Sequence, residues 1–326
     1  MKPKTSYSVN DRYFTAFRPL PEELAPPTDL PLLFDLPHPG IMKVTGDPAR
    51  PFLQGQLSCD VEAVTPEQMC PGALCNLQGR ILNLVDVIDW QGLHLVMPND
   101  LLALTQSNLS RAALFSRVTL TPYETVACLG LYCPNLQQLP HLPIPLPNKL
   151  WQAQQTKDSY SYTISEQLIL LLLTPLLKQT ILALFKPETV YGSLAWHALE
   201  LRHQRLSIYP NTRGLFLPHR LALHETPYLN FQKGCYKGQE IIARTHYRAK
   251  LKHALYRYEI TTDEPIHPGQ KLWDATQQSE IGSLIDYCPL GADRFLVLIS
   301  ALFDHPRQVL LEDHQSSVML ADNEQD

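Results

Sequence analysis

The run Leu168–Leu177, LILLLLTPLL, is the most hydrophobic stretch of the chain and the one that most limits its folds. It is far shorter than the ~20 apolar residues that cross a bilayer, and Pro175 interrupts it. It therefore reads as a buried strand, Gln167–Leu173, followed by the start of a helix, with Thr174 and Pro175 at the cap and first turn. A related order occurs earlier. Leu93–Met97 is strand-like, Pro98-Asn99-Asp100 is a polar cap, and LLALTQSNLSRAALF continues as a helix through Phe115. Strand, cap, helix and a further strand make the half-unit of an α+β, ferredoxin-like layer, and two such units predict two related subdomains.

Other segments fill in around these units. The first 38 residues are Pro-rich and aperiodic and read as an extended arm draped over a surface. Ile41–Thr45 is a strand, and Gly46-Asp47-Pro48 opens a helix with Asp47 as its cap and Pro48 at its first position. Ala73–Leu77, a turn at Gln78-Gly79 and Ile81–Ile88 form a hairpin. The segment Pro134–Pro147 reads as an extended loop inside the second subdomain. From His253 the rhythm changes to short runs at His253–Ile260, Gln270–Trp273, Ile281–Tyr287, Arg294–Ser300, Gln308–Leu311 and Ser317–Leu320, with no helical pattern between them. That is the signature of a small β-barrel. The fold class is α+β, two ferredoxin-like subdomains with a C-terminal β-barrel.

Composition narrows the function classes. Hydrophobic residues make up 44% and charged residues 18%, which excludes a disordered chain. A net charge of −5 argues against a globally basic nucleic-acid binder. Met1–Leu20 lacks the apolar core of a secretory signal. Seven cysteines, an odd number, read as reduced thiols, so a cytoplasmic location without a membrane span is expected. Cys70/Cys75 and Cys128/Cys133 have C-x4-C spacing rather than the C-x2-C of zinc ribbons and read as buried small hydrophobes. Histidines 197, 203, 219 and 224 match no zinc spacing and read as solvated or core residues. Phosphate-binding loops, the dinucleotide G-x-G-x-x-G, the G-x-S-x-G elbow and H-E-x-x-H are all absent from the sequence.

The informative segment is Asn230–Ile242, NFQKGCYKGQEII. Gly234 and Gly238 frame Cys235 in a loop that predicts a positive φ or a close backbone approach. Gln239-Glu240 then begins a helix, Gln239–Thr245. Cys235 thus lies before a helix N-terminus and between Lys233 and Lys237, two features that stabilise a thiolate. The functional reading is a reactive or ligand-donating thiol, set against a buried cysteine in a tight loop. From Lys233 to Arg257 the lysines and arginines 233, 237, 244, 248, 250, 252 and 257 face a single acid, Glu240. Such a stripe suits phosphates or a polyglutamate tail, against a solvated strand edge leading into the barrel.

Lys233-Gly234-Cys235-Tyr236-Lys237-Gly238-Gln239-Glu240 resembles the K-G-C-Y-x-G-Q-E signature of the folate-binding YgfZ family, within the glycine-cleavage T-protein-like folds. Ala243-Arg244-Thr245 with Tyr247-Arg248 is similar to that family's A-R-x-x-[YF]-R continuation, and Phe216-Leu217-Pro218 to its F-[IL]-P step. Val44–Asp47 and Phe52–Gln56 resemble its opening strand and helix. The family's A-G-[IF]-P is replaced here by His203-Gln204-Arg205-Leu206, the position of its second folate-contacting Trp falls near Pro39-Gly40 so that contact is missing, and the glycine after Tyr247-Arg248 is Ala249. The resemblance implies a T-protein-like ring of three subdomains around a folate channel. Residues 1–38 are then an arm, 39–123 with 195–248 the first, folate-binding subdomain, 124–194 the second, and 249–326 the barrel.

The resemblance also implies function. The chain is expected to bind folate, tetrahydrofolate or a derivative, with Trp196 stacking the pterin. It is expected to act as an accessory of iron–sulfur cluster assembly or repair that affects tRNA modification, rather than as a classical enzyme. Cys235 would be its working thiol, able to hold iron or a transient cluster. Lys233 and Lys237 would lower the thiol's pKa, and Glu240 would cap the next helix. Iron–sulfur client proteins are the implied partners, with direct tRNA contact left open. The alternative is a tetrahydrofolate-dependent aminomethyltransferase. Such enzymes carry Asp-Asp-Leu after the hairpin glycine, and those positions fall on Asn83 and Leu84, which supply no carboxylate.

Overall fold

The structure is a computed structural model and describes residues 5–276 and 278–322. Residues 1–4 of the expected arm and 323–326 of the expected barrel lie outside the described residues. The arm is a correction to the sequence reading. β1 (Thr5–Val9) and β2 (Arg12–Ala16) pair as an antiparallel hairpin turned by Asn10 and Asp11, both at positive φ, and the short helix α1 (Leu20–Glu23) follows. β3 (Leu32–Leu36) is a buried sheet strand. Its flanking prolines, Pro26, Pro27 and Pro31, hid it. Buried Glu23 fastens this segment to the rest by accepting from the backbone N–H of Phe17, Arg18 and Gly192.

β4 (Pro39–Thr45) leads into α2 (Ala49–Gln56), where a second expectation fails. Pro48 occupies the cap position and no side chain caps the helix, so Asp47 is not its cap. β5 (Cys70–Cys75), β6 (Ile81–Asp89), β7 (Leu93–Pro98), α3 (Leu102–Phe115) and β8 (Thr119–Pro122) complete the first layer. Its antiparallel sheet has the order β5-β6-β7-β4-β8.

β9 (Ala127–Tyr132), β10 (Ala153–Gln155), β11 (Ser159–Thr163), β12 (Leu168–Leu173), α4 (Pro175–Leu184) and β13 (Val190–Tyr191) build the second. The sheet order is β10-β11-β12-β9-β3-β13, so β3, from the supposed arm, completes it, pairing antiparallel with β9 and parallel with β13. Every residue of β12 is buried, as a strand covered on both faces requires.

Two helices join these layers to the third. α5 (Ser193–Arg202) packs on β2 and β3, and α6 (Gln239–Arg248) follows the signature loop and takes in its last two residues. The six C-terminal runs all form strands: β14 (His253–Thr261), β15 (Lys271–Asp274), β16 (Glu280–Gly291), β17 (Arg294–Leu302), β18 (Gln308–Leu311) and β19 (Val318–Met319). They curl as one antiparallel sheet in the order β14-β17-β16-β15-β18-β19, and a bridge between Glu259 and Ala321 brings its two ends together. α5 also packs on β16 and β17. It is buried nearly all round, from Ser193 through Leu199, as a helix at the junction of several layers must be.

Candidate functional site

Two places concentrate the chemistry, and they are separate. Trp196 lines a cavity at the junction of the layers, whereas Cys235 lines an open groove between α2, α3 and the signature loop.

At the cavity, α5 puts Trp196 on its inner face, 1% exposed. One side of the indole lies against β9, where a Cβ on Gly130 would come within 2.4 Å of its ring, so only glycine leaves room for it there. Phe34 sits at 5.4 Å on a tilted contact. The neighbouring His197 is occupied elsewhere. Its Nε2 lies 3.0 Å from the Tyr287 carbonyl and 3.4 Å from Asp286, and its ring stacks on Phe14. Burial works to lower its pKa, but the Asp286 carboxylate outweighs that and raises it. This is a core histidine, as the sequence suggested.

The cavity's polar groups were missed in the sequence. β6 carries Asp86 into it, 3% exposed. Its Oδ2 accepts from the Tyr162 hydroxyl of β11 at 2.9 Å and from Arg205 Nη2 at 2.6 Å. Arg205 Nε in turn lies 3.3 Å from Glu200 of α5. Burial opposes the charge on Arg205, but Asp86, Tyr228, Glu200 and Tyr162 together outweigh it and raise its pKa. Burial raises the Glu200 pKa, against the pull of Arg205. Arg205 comes from the stretch His203–Leu206 that replaces the family's A-G-[IF]-P. The available signal for Asp86 was an acid inside the fully apolar run LVDVI, where a carboxylate is rarely found without a partner.

Three buried polar atoms around this cavity have no hydrogen-bond partner: Asp86 Oδ1, Arg205 Nη1 and His38 Nδ1. Burial, helped by Arg12 and His197, lowers the His38 pKa to about 3, so its imidazole is neutral at pH 7. Leaving such groups unpaired costs about 1–3 kcal/mol each. Asn83, by contrast, points away and donates to Thr105 Oγ1 at 2.9 Å, while Leu84 lines the cavity.

At the loop, most of the signature is architecture. Lys233 donates to the carbonyls of Gln54, Leu57 and Cys59, which closes the C-terminal end of α2. Lys237 donates its backbone N–H to Gly55 O and its ammonium to Asn108. Both ammonium groups are thus hydrogen-bonded to groups other than the Cys235 thiol. Tyr236 is buried, under the Lys233 ammonium at 5.2 Å. Gly238 has φ +85°, and a Cβ there would meet Asn76 O at 2.4 Å. Opposite it, Gly79 has φ +70°. The two glycines let the β5–β6 turn seat against the start of α6.

Gly234 needs neither, since nothing lies within 4 Å of a Cβ built there, another correction. Gln239 Oε1 accepts from Tyr236 N, and its own N–H donates to Tyr236 O. Glu240 does not cap α6. It pairs with Arg244 one turn on at 3.1 Å, both exposed.

Cys235 is exposed, and the other six cysteines are buried. Beside its groove stand the exposed apolar side chains Leu77 and Phe115 and the basic Arg111. Past the loop, Tyr247, Arg248, Lys250 and Lys252 are exposed, and these three cations have no ion-pair partner among the described residues. Among the described residues no group of three or more His, Cys, Asp or Glu side chains is arranged to hold a metal ion. Nor is any helix among them long and apolar enough to cross a membrane.

No family model matches the chain. It is 28% identical over 241 residues to the tRNA-modifying protein YgfZ of Colwellia psychrerythraea, covering 72% of this chain and 73% of that one. To the tRNA-modifying protein YgfZ of Hamiltonella defensa it is 30% identical over 224 residues, 67% of this chain and 66% of that one. The corresponding protein of Sodalis glossinidius is 26% identical over 261 residues, 78% and 80% of the two chains. The crystal structure of glycine cleavage system aminomethyltransferase T from Bartonella henselae matches with a TM-score of 0.71 at 18% identity, over 98% of this chain and 93% of that one. The two share a fold.

Proposed function

The chain belongs to the YgfZ family, and from that premise we propose that it serves tRNA modification as a folate-binding accessory of iron–sulfur cluster assembly or repair, with Cys235 as its working thiol. The observation that carries this reading is the exposure of Cys235 alone among seven cysteines, on a loop most of whose other signature residues are engaged in holding its shape. An exposed thiolate is a soft ligand for iron. One cysteine supplies one ligand, so the remaining ligands of a cluster in transit come from a client protein. Leu77 and Phe115 give that client an apolar footing beside the thiol.

Folate is assigned to the cavity because the unpaired Asp86 and Arg205 atoms and the Trp196 ring suit a flat, hydrogen-bonding heterocycle. A reduced folate bound there supplies a one-carbon carrier; the chain's own residues bind and orient it. Tyr247, Arg248, Lys250 and Lys252 are the surface for RNA phosphates or a polyglutamate tail. The aminomethyltransferase alternative lacks its two carboxylates at Asn83 and Leu84.

The test replaces the cell's copy with Cys235→Ser. Modified nucleosides in tRNA and the activity of an iron–sulfur enzyme should both fall, while the purified variant keeps its melting temperature. Unchanged modification at normal protein levels overturns the assignment.

A further inference from the structure

We propose that Asp86 and Arg205 read the lactam edge of the pterin, the ring N–H beside a ring carbonyl, as it enters the cavity next to Trp196. This rests on the folate reading above and names the residues that make it selective. Asp86 Oδ1 is a buried acceptor and Arg205 Nη1 a buried donor, both without a partner. The salt bridge between Asp86 Oδ2 and Arg205 Nη2 at 2.6 Å joins the two groups, and both residues line the cavity. A lactam presents the complementary pair, its N–H donating to Asp86 Oδ1 and its carbonyl accepting from Arg205 Nη1, in the plane of the ring.

Both side chains are fixed from behind, Asp86 by the Tyr162 hydroxyl and Arg205 by Glu200, so little ordering remains to be done on binding. Neutral His38, with its free Nδ1, offers a third polar group lining the same cavity. The cavity as folded is about 80 Å³, room for a few waters, so lining side chains must yield when a bicyclic ring enters. Sequence position makes the case specific to this chain, because Arg205 stands in the stretch that departs from the family motif.

The same edge occurs on guanine, and the titrations separate the two. Calorimetry on the full chain would use 5-formyltetrahydrofolate, its 2,4-diamino analogue in which an amino group replaces the ring carbonyl, p-aminobenzoylglutamate as the tail alone, and guanosine. The unaltered protein should favour the oxo form over the diamino form at least ten-fold and bind guanosine more weakly than either folate. Asp86→Asn and Arg205→Gln should each erase that preference and leave binding of the tail unchanged. Equal affinity for the oxo and diamino forms overturns the inference and leaves the folate reading standing. No saturable folate binding overturns both, and guanosine binding in its place assigns the edge to an RNA base. The oxo-versus-diamino comparison needs no variant, so it decides the matter even where Asp86→Asn fails to fold.

Discussion

The signature loop exposes one reactive group and surrounds it largely with residues engaged in structure, whereas the cavity buries its polar groups and leaves three of their atoms unpaired. At the loop, Lys233 closes α2, Gly238 admits the β5–β6 turn, and Tyr236 fills the core beneath. What remains free is Cys235. In the cavity, Asp86, Tyr162, Glu200 and Arg205 arrive from two different sheets, α5 and the connector after it, and their pairing also ties those layers together. A motif dense in one stretch of sequence can thus be mostly scaffold, while the ligand-reading groups are scattered.

The sharpest way to break that contrast is at Arg205. Arg205→Met leaves Asp86 buried with only the Tyr162 hydroxyl, and should destabilise the chain by about 3–5 kcal/mol. Adding Asp86→Leu should recover most of the loss, since an apolar pair of similar volume is often as stable as a buried ion pair. Denaturant unfolding reads both. If the single variant is as stable as the parent, the pair does not hold the layers.

Gly238→Ala tests the loop's scaffold. With φ at +85° and Asn76 O at 2.4 Å from the new Cβ, it should cost about 2 kcal/mol or more in unfolding free energy. Gly234→Ala should stay within about 0.5 kcal/mol. Equal costs would mean that the two glycines play the same part.

Acid separates the regions by titration. His38 at the cavity has its pKa lowered to about 3, chiefly by burial, and His219, packed near His224 and His246 of α6, has its lowered to about 4 for the same reason. Above pH 6.5 both are neutral folded and unfolded and contribute nothing. As pH falls below 6.5 the unfolded chain takes up the protons first, so stability declines. The His219 part of that decline ends near pH 4, and the His38 part continues to about pH 3. At pH 5.5 each should cost about 1 kcal/mol. His219→Gln and His38→Gln should each flatten their own part of the pH–stability curve. An unchanged curve would show that the ring concerned is not held neutral.

Glu240→Ala, at the exposed pair with Arg244, should change stability by only about 0.3–0.5 kcal/mol in thermal unfolding. A larger loss would give Glu240 the capping role that Gly238's place at the helix start denies it.

How much the sequence disclosed follows from how local each requirement is. The LILLLL strand, the two strand–helix units and the six C-terminal strands were legible because apolar rhythm and turn residues act over a few positions. β3 was not, since its partner β9 lies nearly a hundred residues on and prolines crowd its approach. Gly238 was read correctly from its neighbours. The bonds of Lys233 were not legible, because the carbonyls it serves lie at and just beyond the end of α2 and are adjacent only in space. Asp86 sat inside an apparently ordinary strand, and only the fold brings Arg205 to it.

The loop presents one thiol and the fold withholds the other six. Native alkylation with iodoacetamide, followed by mass spectrometry of the intact chain and its peptides, tests it most directly. Rapid addition of a single adduct is expected at Cys235, with none in Cys235→Ser and reaction of the other six only on unfolding. A slow or absent reaction at Cys235, or early labelling of Cys70 or Cys133, would contradict it.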